Sequence, residues 1–144
     1  MRKTFLRLGS LMALAAVAIG AFGSHGLKSM LSPEQLNTYE IGVRYQFYHA
    51  FAILAVGVLL YFRKTSLLPW AGWFFAAGIV LFSGSLYFLA IREVFQLSMD
   101  WLGPVTPTGG ICFILGWALL LASTYQENQK LYRSRNREEP EQTR

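Results

Sequence analysis

Four stretches without a single Asp, Glu, Lys or Arg, residues 8–27, 45–62, 66–91 and 101–126, constrain this chain more than any other feature. A helix needs about 20 apolar residues to cross a hydrocarbon core, with about 17–25 tolerated. All four stretches are long enough. In lipid the polar groups of the backbone must be satisfied within the segment, which selects helix. Composition agrees, with 53% hydrophobic and 15% charged residues, where a soluble domain carries roughly 25% charge. The expected fold is all-α: a polytopic membrane protein whose four transmembrane helices form an antiparallel bundle, the second helix extending out of the bilayer. A length of 144 residues suits one domain. It divides into a transmembrane domain over 1–126, with spans at about 6–27, 45–62, 68–91 and 107–126, and a mixed basic and acidic cytoplasmic tail over 127–144.

Taken in order, the chain opens with Arg2, Lys3 and Arg7 and no acid. The first span carries Gly9, Ala13, Ala16, Gly20 and Gly23 at spacings of three and four, which places small residues on one face where a neighbouring backbone can come close. That stripe and the protruding second helix are the surfaces expected to meet a partner. A cleavable leader ending at Ala21-Phe22-Gly23 is the rival reading. The apolar run is longer than the 7–15 residues of such a leader, so the segment is read as a retained span.

Ser32-Pro33-Glu34-Gln35 has the form of a helix start: an N-cap serine, proline at the first helical position and glutamine three after the cap. Nothing breaks the helix from Pro33 to about Phe62, roughly 45 Å at 1.5 Å per residue. Its first turns therefore stand outside the bilayer, with Tyr39, Tyr45 and Tyr48 near the interface. Arg63-Lys64-Thr65 makes a short turn into a third span that begins with Trp70 and Trp73 and runs through Ser83-Gly84-Ser85. Residues 94–101 are mixed in polarity and read as lying along the membrane surface. Thr106 before Pro107 is a plausible cap for the last span, and Gly84, Gly109 and Gly110 are expected at close helix contacts. The tail is expected to extend the last helix briefly and then fray.

Lys and Arg set the orientation. The N-terminus, the 63–65 turn and the tail together hold ten, whereas Lys28, Arg44 and Arg92 on the other side make three. Both termini are thus expected in the cytoplasm, with the protein in the cell inner membrane. In this topology His25, Arg44, Gln46, His49, Ser83, Ser85, Thr106 and Thr108 all fall in the outer half of the bundle. The inner halves read as nearly pure Leu, Ala, Val, Phe and Trp.

Such a polar layer is ordinarily inter-helix hydrogen bonding, with Arg44 reaching to the lipid headgroups. The alternative is a small site for a quinone, a lipid headgroup, an ion or a proton, in which His49 and Arg44 are the principal contacts. Catalysis has less behind it. A serine nucleophile needs a base and an oxyanion site within reach, and no spacing here signals either. A haem held by His25 and His49 would have no attachment cysteine pair, because Cys112 is the chain's one cysteine. Cys112 likewise excludes an intrachain disulfide and any multi-cysteine metal site. No metal or cofactor is expected. The basic tail lacks the aromatic-basic pattern of a nucleic-acid module. The expected partners are the lipid bilayer and a membrane protein or a second copy.

Four motifs occur together in this order: Gly20-Ala21-Phe22-Gly23-Ser24-His25-Gly26-Leu27, Tyr45-Gln46-Phe47-Tyr48-His49-Ala50, Phe82-Ser83-Gly84-Ser85-Leu86-Tyr87 and Thr106-Pro107-Thr108-Gly109-Gly110. They resemble the small membrane-protein family called domain of unknown function 423, whose eukaryotic members are the transmembrane protein 256 group. The likeness covers about residues 8–125, and Ser24 departs from the alanine usual there. The resemblance implies a four-span inner-membrane protein and brings no established activity, cofactor or catalytic residue. It leaves the function open; the role expected from the residues is non-enzymatic, structural or accessory.

Overall fold

The computed structural model describes residues 1–92, 94 and 102–142, with side chains as far as Gln126. Four apolar helical rods pack side by side, each long enough to cross a membrane: Arg2–Leu27, Pro33–Phe62, Leu67–Ile91 and Val105–Gln126. The first rod is α1 (Arg2–Phe22) with a π-helical turn at Gly23–Leu27. The second is α2 (Pro33–Phe62). The third is α3 (Leu67–Gly78), a π-helical turn at Ile79–Ser83, and α4 (Gly84–Ile91). The fourth is α5 (Val105–Gln142), which carries the tail in helix to Gln142, well past the brief extension expected. The surface segment expected at 94–101 lies, save for Val94, outside the described residues.

Local chemistry explains the helix ends. The Ser32 hydroxyl accepts from the Gln35 N–H at 3.3 Å and the Gln35 side chain accepts from the Ser32 N–H at 2.9 Å, with Pro33 in the first turn. This is the reciprocal cap read from the sequence, and it satisfies two donors that would otherwise be orphaned. Val105 is the first residue of α5, so Thr106 lies inside the first turn and is not its cap.

Arg2 sits over the Tyr61 ring at 4.8 Å, and the Thr65 hydroxyl donates to the Gln126 side chain at 2.7 Å. The N-terminus, the 63–65 turn and the end of the fourth span therefore share one end of the bundle, called here the base. The 28–32 connection and Pro104 mark the distal end.

α2 is the shared wall, with α1 on one side and the third rod on the other, while α5 packs on the third rod. Its buried face follows Tyr39, Gly42, Gln46, His49, Ile53 and Val56, at the three- and four-residue spacing of one helical stripe. Towards the base this stripe joins Phe5, Leu68, Ala71, Phe75, Ile79 and Phe113 in the main apolar core. At the distal end a smaller cluster gathers Leu27, Leu31, Tyr39 and Ala90.

The small-residue stripe of α1 faces inward, against α2, which corrects the expectation that it forms a surface for a partner. A β-carbon on Gly9 would lie 2.7 Å from Leu54 and 2.9 Å from the Ala50 carbonyl, and one on Gly23 would meet the Tyr39 ring at 2.5 Å. Ala16 is fully buried, Ala13 is half-buried, and Gly20 faces Val43. Gly109 lies against the backbone of Phe82 in the π turn, so that close contact is found where expected. Gly110 only touches the Phe82 ring at ordinary distance, and Gly84 has nothing within 4 Å of a built β-carbon. The expected packing patch at Gly84 is open space.

Candidate functional site

Where the α2 stripe passes between the two apolar clusters it turns polar, with Gln46 and His49 both buried one turn apart. The Gln46 amide nitrogen donates to the Met12 carbonyl of α1 at 2.9 Å, and its oxygen accepts from the Tyr87 hydroxyl of α4 at 2.8 Å. A carbonyl can only accept, so the orientation of the amide is fixed by its partners. One side chain thereby joins three helices. Tyr39 adds a parallel tie, its hydroxyl donating to the Ile19 carbonyl at 3.0 Å while its ring packs on Tyr87 at 5.1 Å.

His49 is held differently. Its Nδ1 lies 2.8 Å from the Tyr45 carbonyl, and its Nε2 lies 3.2 Å from the indole nitrogen of Trp117 in α5. The carbonyl has no proton to give and the indole N–H has no lone pair to offer. Nδ1 therefore carries the proton and Nε2 accepts, giving a neutral imidazole with both nitrogens engaged. The ring stacks on Phe113 at 3.5 Å and 10°, and Phe75 closes the box, edge-on to Trp117 at 5.0 Å. This space is filled by rings.

A third polar contact lies towards the distal end. The Ser85 hydroxyl donates to the Phe82 carbonyl at 2.9 Å and sits 2.7 Å from the Thr106 hydroxyl, which supplies the proton for that second bond. Ser85 thus ties α4 to the first turn of α5 just where the π turn ends. Ser83, at 0% exposure, has a hydroxyl without a hydrogen-bond partner among the described residues.

The residues expected in one layer therefore separate. Gln46, His49, Ser85 and Thr106 make bonds between helices at three distinct places. His25, Arg44 and Thr108 are exposed. The Arg44 Nε donates to the Glu40 carbonyl at 3.4 Å, and the Thr108 hydroxyl turns back to the Pro104 carbonyl at 2.9 Å. His25 and His49 do not converge, and among the described residues no three of His, Cys, Asp or Glu come together as a metal-binding group.

Several partners went unseen in the sequence. Trp117 and the Met12 carbonyl carried no polar signal, and Tyr87 was noted only as part of a motif. Ser123 is fully buried in the half expected to be nearly all apolar, its hydroxyl donating to the Leu120 carbonyl at 2.6 Å. One cue was legible in hindsight: an indole or phenol inside an apolar span needs an acceptor, and Gln46 and His49 were the acceptors on offer.

Known proteins place the chain. The family model described as protein of unknown function (DUF423) matches residues 19–110. A UPF0382 membrane protein of Staphylococcus epidermidis is 45% identical over 123 residues, 85% of this chain and 95% of that one. A UPF0382 membrane protein of Staphylococcus aureus is 43% identical over 125 residues, 86% of this chain and 97% of the relative. The UPF0382 membrane protein YwdK of Bacillus subtilis is 39% identical over 122 residues, 84% and 95% of the two chains. No solved structure matches. With half of its length and more inside the family model, and relatives aligned almost end to end, this four-span integral membrane protein belongs to the DUF423 family.

Proposed function

We propose that this protein performs no covalent chemistry and serves as a structural or accessory component of the cell inner membrane, packing against a membrane-protein partner or a second copy of itself. The observation that carries the reading is the saturation of His49. Both ring nitrogens are engaged and Phe113 lies flat against the ring at 3.5 Å, so the imidazole acts as a tie between α2 and α5. Ser85 is likewise tied to Phe82 and Thr106, with no base beside it among these contacts. The orientation with both termini in the cytoplasm draws support from charge: Arg2, Lys3, Arg7, Arg63 and Lys64 belong to the base, where cytoplasmic loops carry their Lys and Arg excess.

The test is extraction of the full-length protein in mild detergent, with cross-linking in the membrane beforehand. A defined homo-oligomer or a constant membrane-protein companion is the expected result. A lone monomer in both measurements overturns the proposal.

One observation favours a second reading, a small-ligand or ion site in the bundle. The Ser83 hydroxyl, in the π turn, is buried without a partner among the described residues, and π turns occur frequently at functional sites. That reading requires a ligand or flux that is lost in Ser83→Ala and His49→Ala proteins that still insert. A loss of thermal stability alone in both variants rejects it.

A further inference from the structure

A cavity of about 290 Å³ opens at the distal end of the seam between α1 and α2, lined by Gly20, Gly23, Ser24, Tyr39, Glu40, Val43 and Arg44. Gly20 and Gly23 let Tyr39 and Val43 pack directly against α1, and the groove opens beside that close contact. Its height along the bundle follows from helix arithmetic. Arg44 lies about 27 Å along α2 from Phe62, close to the ~30 Å thickness of a hydrocarbon core. With Phe62, exposed at the base, at one face of the bilayer, Arg44 stands at the headgroup level of the other. Glu40 stands four residues, about 6 Å, further out.

The rim therefore offers a pair of opposite charges at the membrane boundary, the Arg44 guanidinium from the level nearer the lipid and the Glu40 carboxylate from the turn nearer water. The volume sits at the lower end of the range for small-molecule sites, roughly 300–1,000 Å³, which suits a headgroup and leaves acyl chains outside along the apolar helices. A guanidinium binds phosphate oxygens in a forked geometry, and a carboxylate accepts from a primary ammonium. The two charges stand in the order in which a phosphoethanolamine headgroup presents its own, phosphate nearer the acyl chains and ammonium nearer water. Ser24, whose hydroxyl proton goes to the Gly20 carbonyl at 3.1 Å, leaves its oxygen as a further acceptor.

We propose that this groove binds the headgroup of a zwitterionic phospholipid with a primary amine, phosphate on Arg44 and ammonium on Glu40. The site is independent of the accessory role proposed above and of which face of the membrane the distal end occupies. A lipid held there would also seal the α1–α2 seam where it opens.

The experiment is native mass spectrometry of the full-length protein in mild detergent, titrated separately with phosphatidylethanolamine, phosphatidylcholine and phosphatidylglycerol of identical acyl chains. Phosphatidylethanolamine is expected to be retained about tenfold better than phosphatidylcholine, whose quaternary nitrogen has no N–H to donate, the worth of one charge-assisted hydrogen bond. Glu40→Gln should erase that preference, and Arg44→Gln should weaken all three lipids together. Both positions are exposed, so circular dichroism and the thermal midpoint should stay at wild-type values and show that the variants are folded. Equal retention of the three lipids, a preference for phosphatidylglycerol, or a preference unchanged in Glu40→Gln overturns the proposal.

Discussion

Gln46 and His49 are neighbours on one face of α2, yet they hold the bundle in opposite ways. Gln46 sits at a junction of three helices and works through two hydrogen bonds, one to the Met12 carbonyl and one from the Tyr87 hydroxyl. His49 sits in a box of rings, where stacking on Phe113 comes first and the bonds to Tyr45 and Trp117 orient the ring. The difference shows that polar residues inside a membrane bundle need not form a shared layer. Each is answered by whatever the facing helix supplies, a backbone carbonyl in one case and an indole in the other.

That contrast can be tested by removing its parts. The largest effect is expected from His49→Ala, which empties the aromatic box and strands the Trp117 N–H; about 3–5 kcal/mol of stability should go, as for large aromatic truncations, read as a fall in thermal midpoint in detergent. His49→Phe keeps the stack and loses both bonds, so about 1–3 kcal/mol is expected. Should the two variants prove equal, the bonds and not the stack hold the box. Gln46→Leu comes next, at about 1–2 kcal/mol, leaving the buried Tyr87 hydroxyl without its acceptor. A Gln46→Leu, Tyr87→Phe double-mutant cycle should show the pair coupled, because each side chain is the other's partner. A cost above that of His49→Ala would reverse the ranking of the two junctions. The smallest effect is expected from Ser85→Ala, about 0.6 kcal/mol, the average for an inter-helix bond in a membrane. Isotope-edited nuclear magnetic resonance of His49 gives an independent check: a protonated Nδ1 and a bare Nε2 are expected, and the other tautomer would refute the assigned bonds.

The four rods and the Ser32 cap were legible in the sequence because charge-free runs and capping boxes are local signals. So was the face of α1 that packs closely; what it packs against was not, since a stripe of small residues looks the same whether its neighbour is α2 or another chain. The polar residues show the limit most clearly. Position along a helix gives height, which put His25, Arg44 and Thr108 at the distal end, but the direction around the axis decides burial. The π turns at Gly23–Leu27 and Ile79–Ser83 reset that direction by adding a residue to the turn. His25 lies within the first of them, and Ser85 lies two residues past the end of the second. Periodicity assumed to be 3.6 throughout therefore misplaces residues there.

The position of α2 as shared wall has a consequence for how the chain is assembled. Synthesis runs from the N-terminus, so when α2 enters the bilayer α1 is already there to offer the Met12 carbonyl to the Gln46 amide. The Tyr87 hydroxyl and the Trp117 indole are still unmade. The glutamine oxygen and the unprotonated nitrogen of His49 find their partners only when the third and fourth spans arrive, so the helix that goes in second carries the acceptors against which both later spans are aligned.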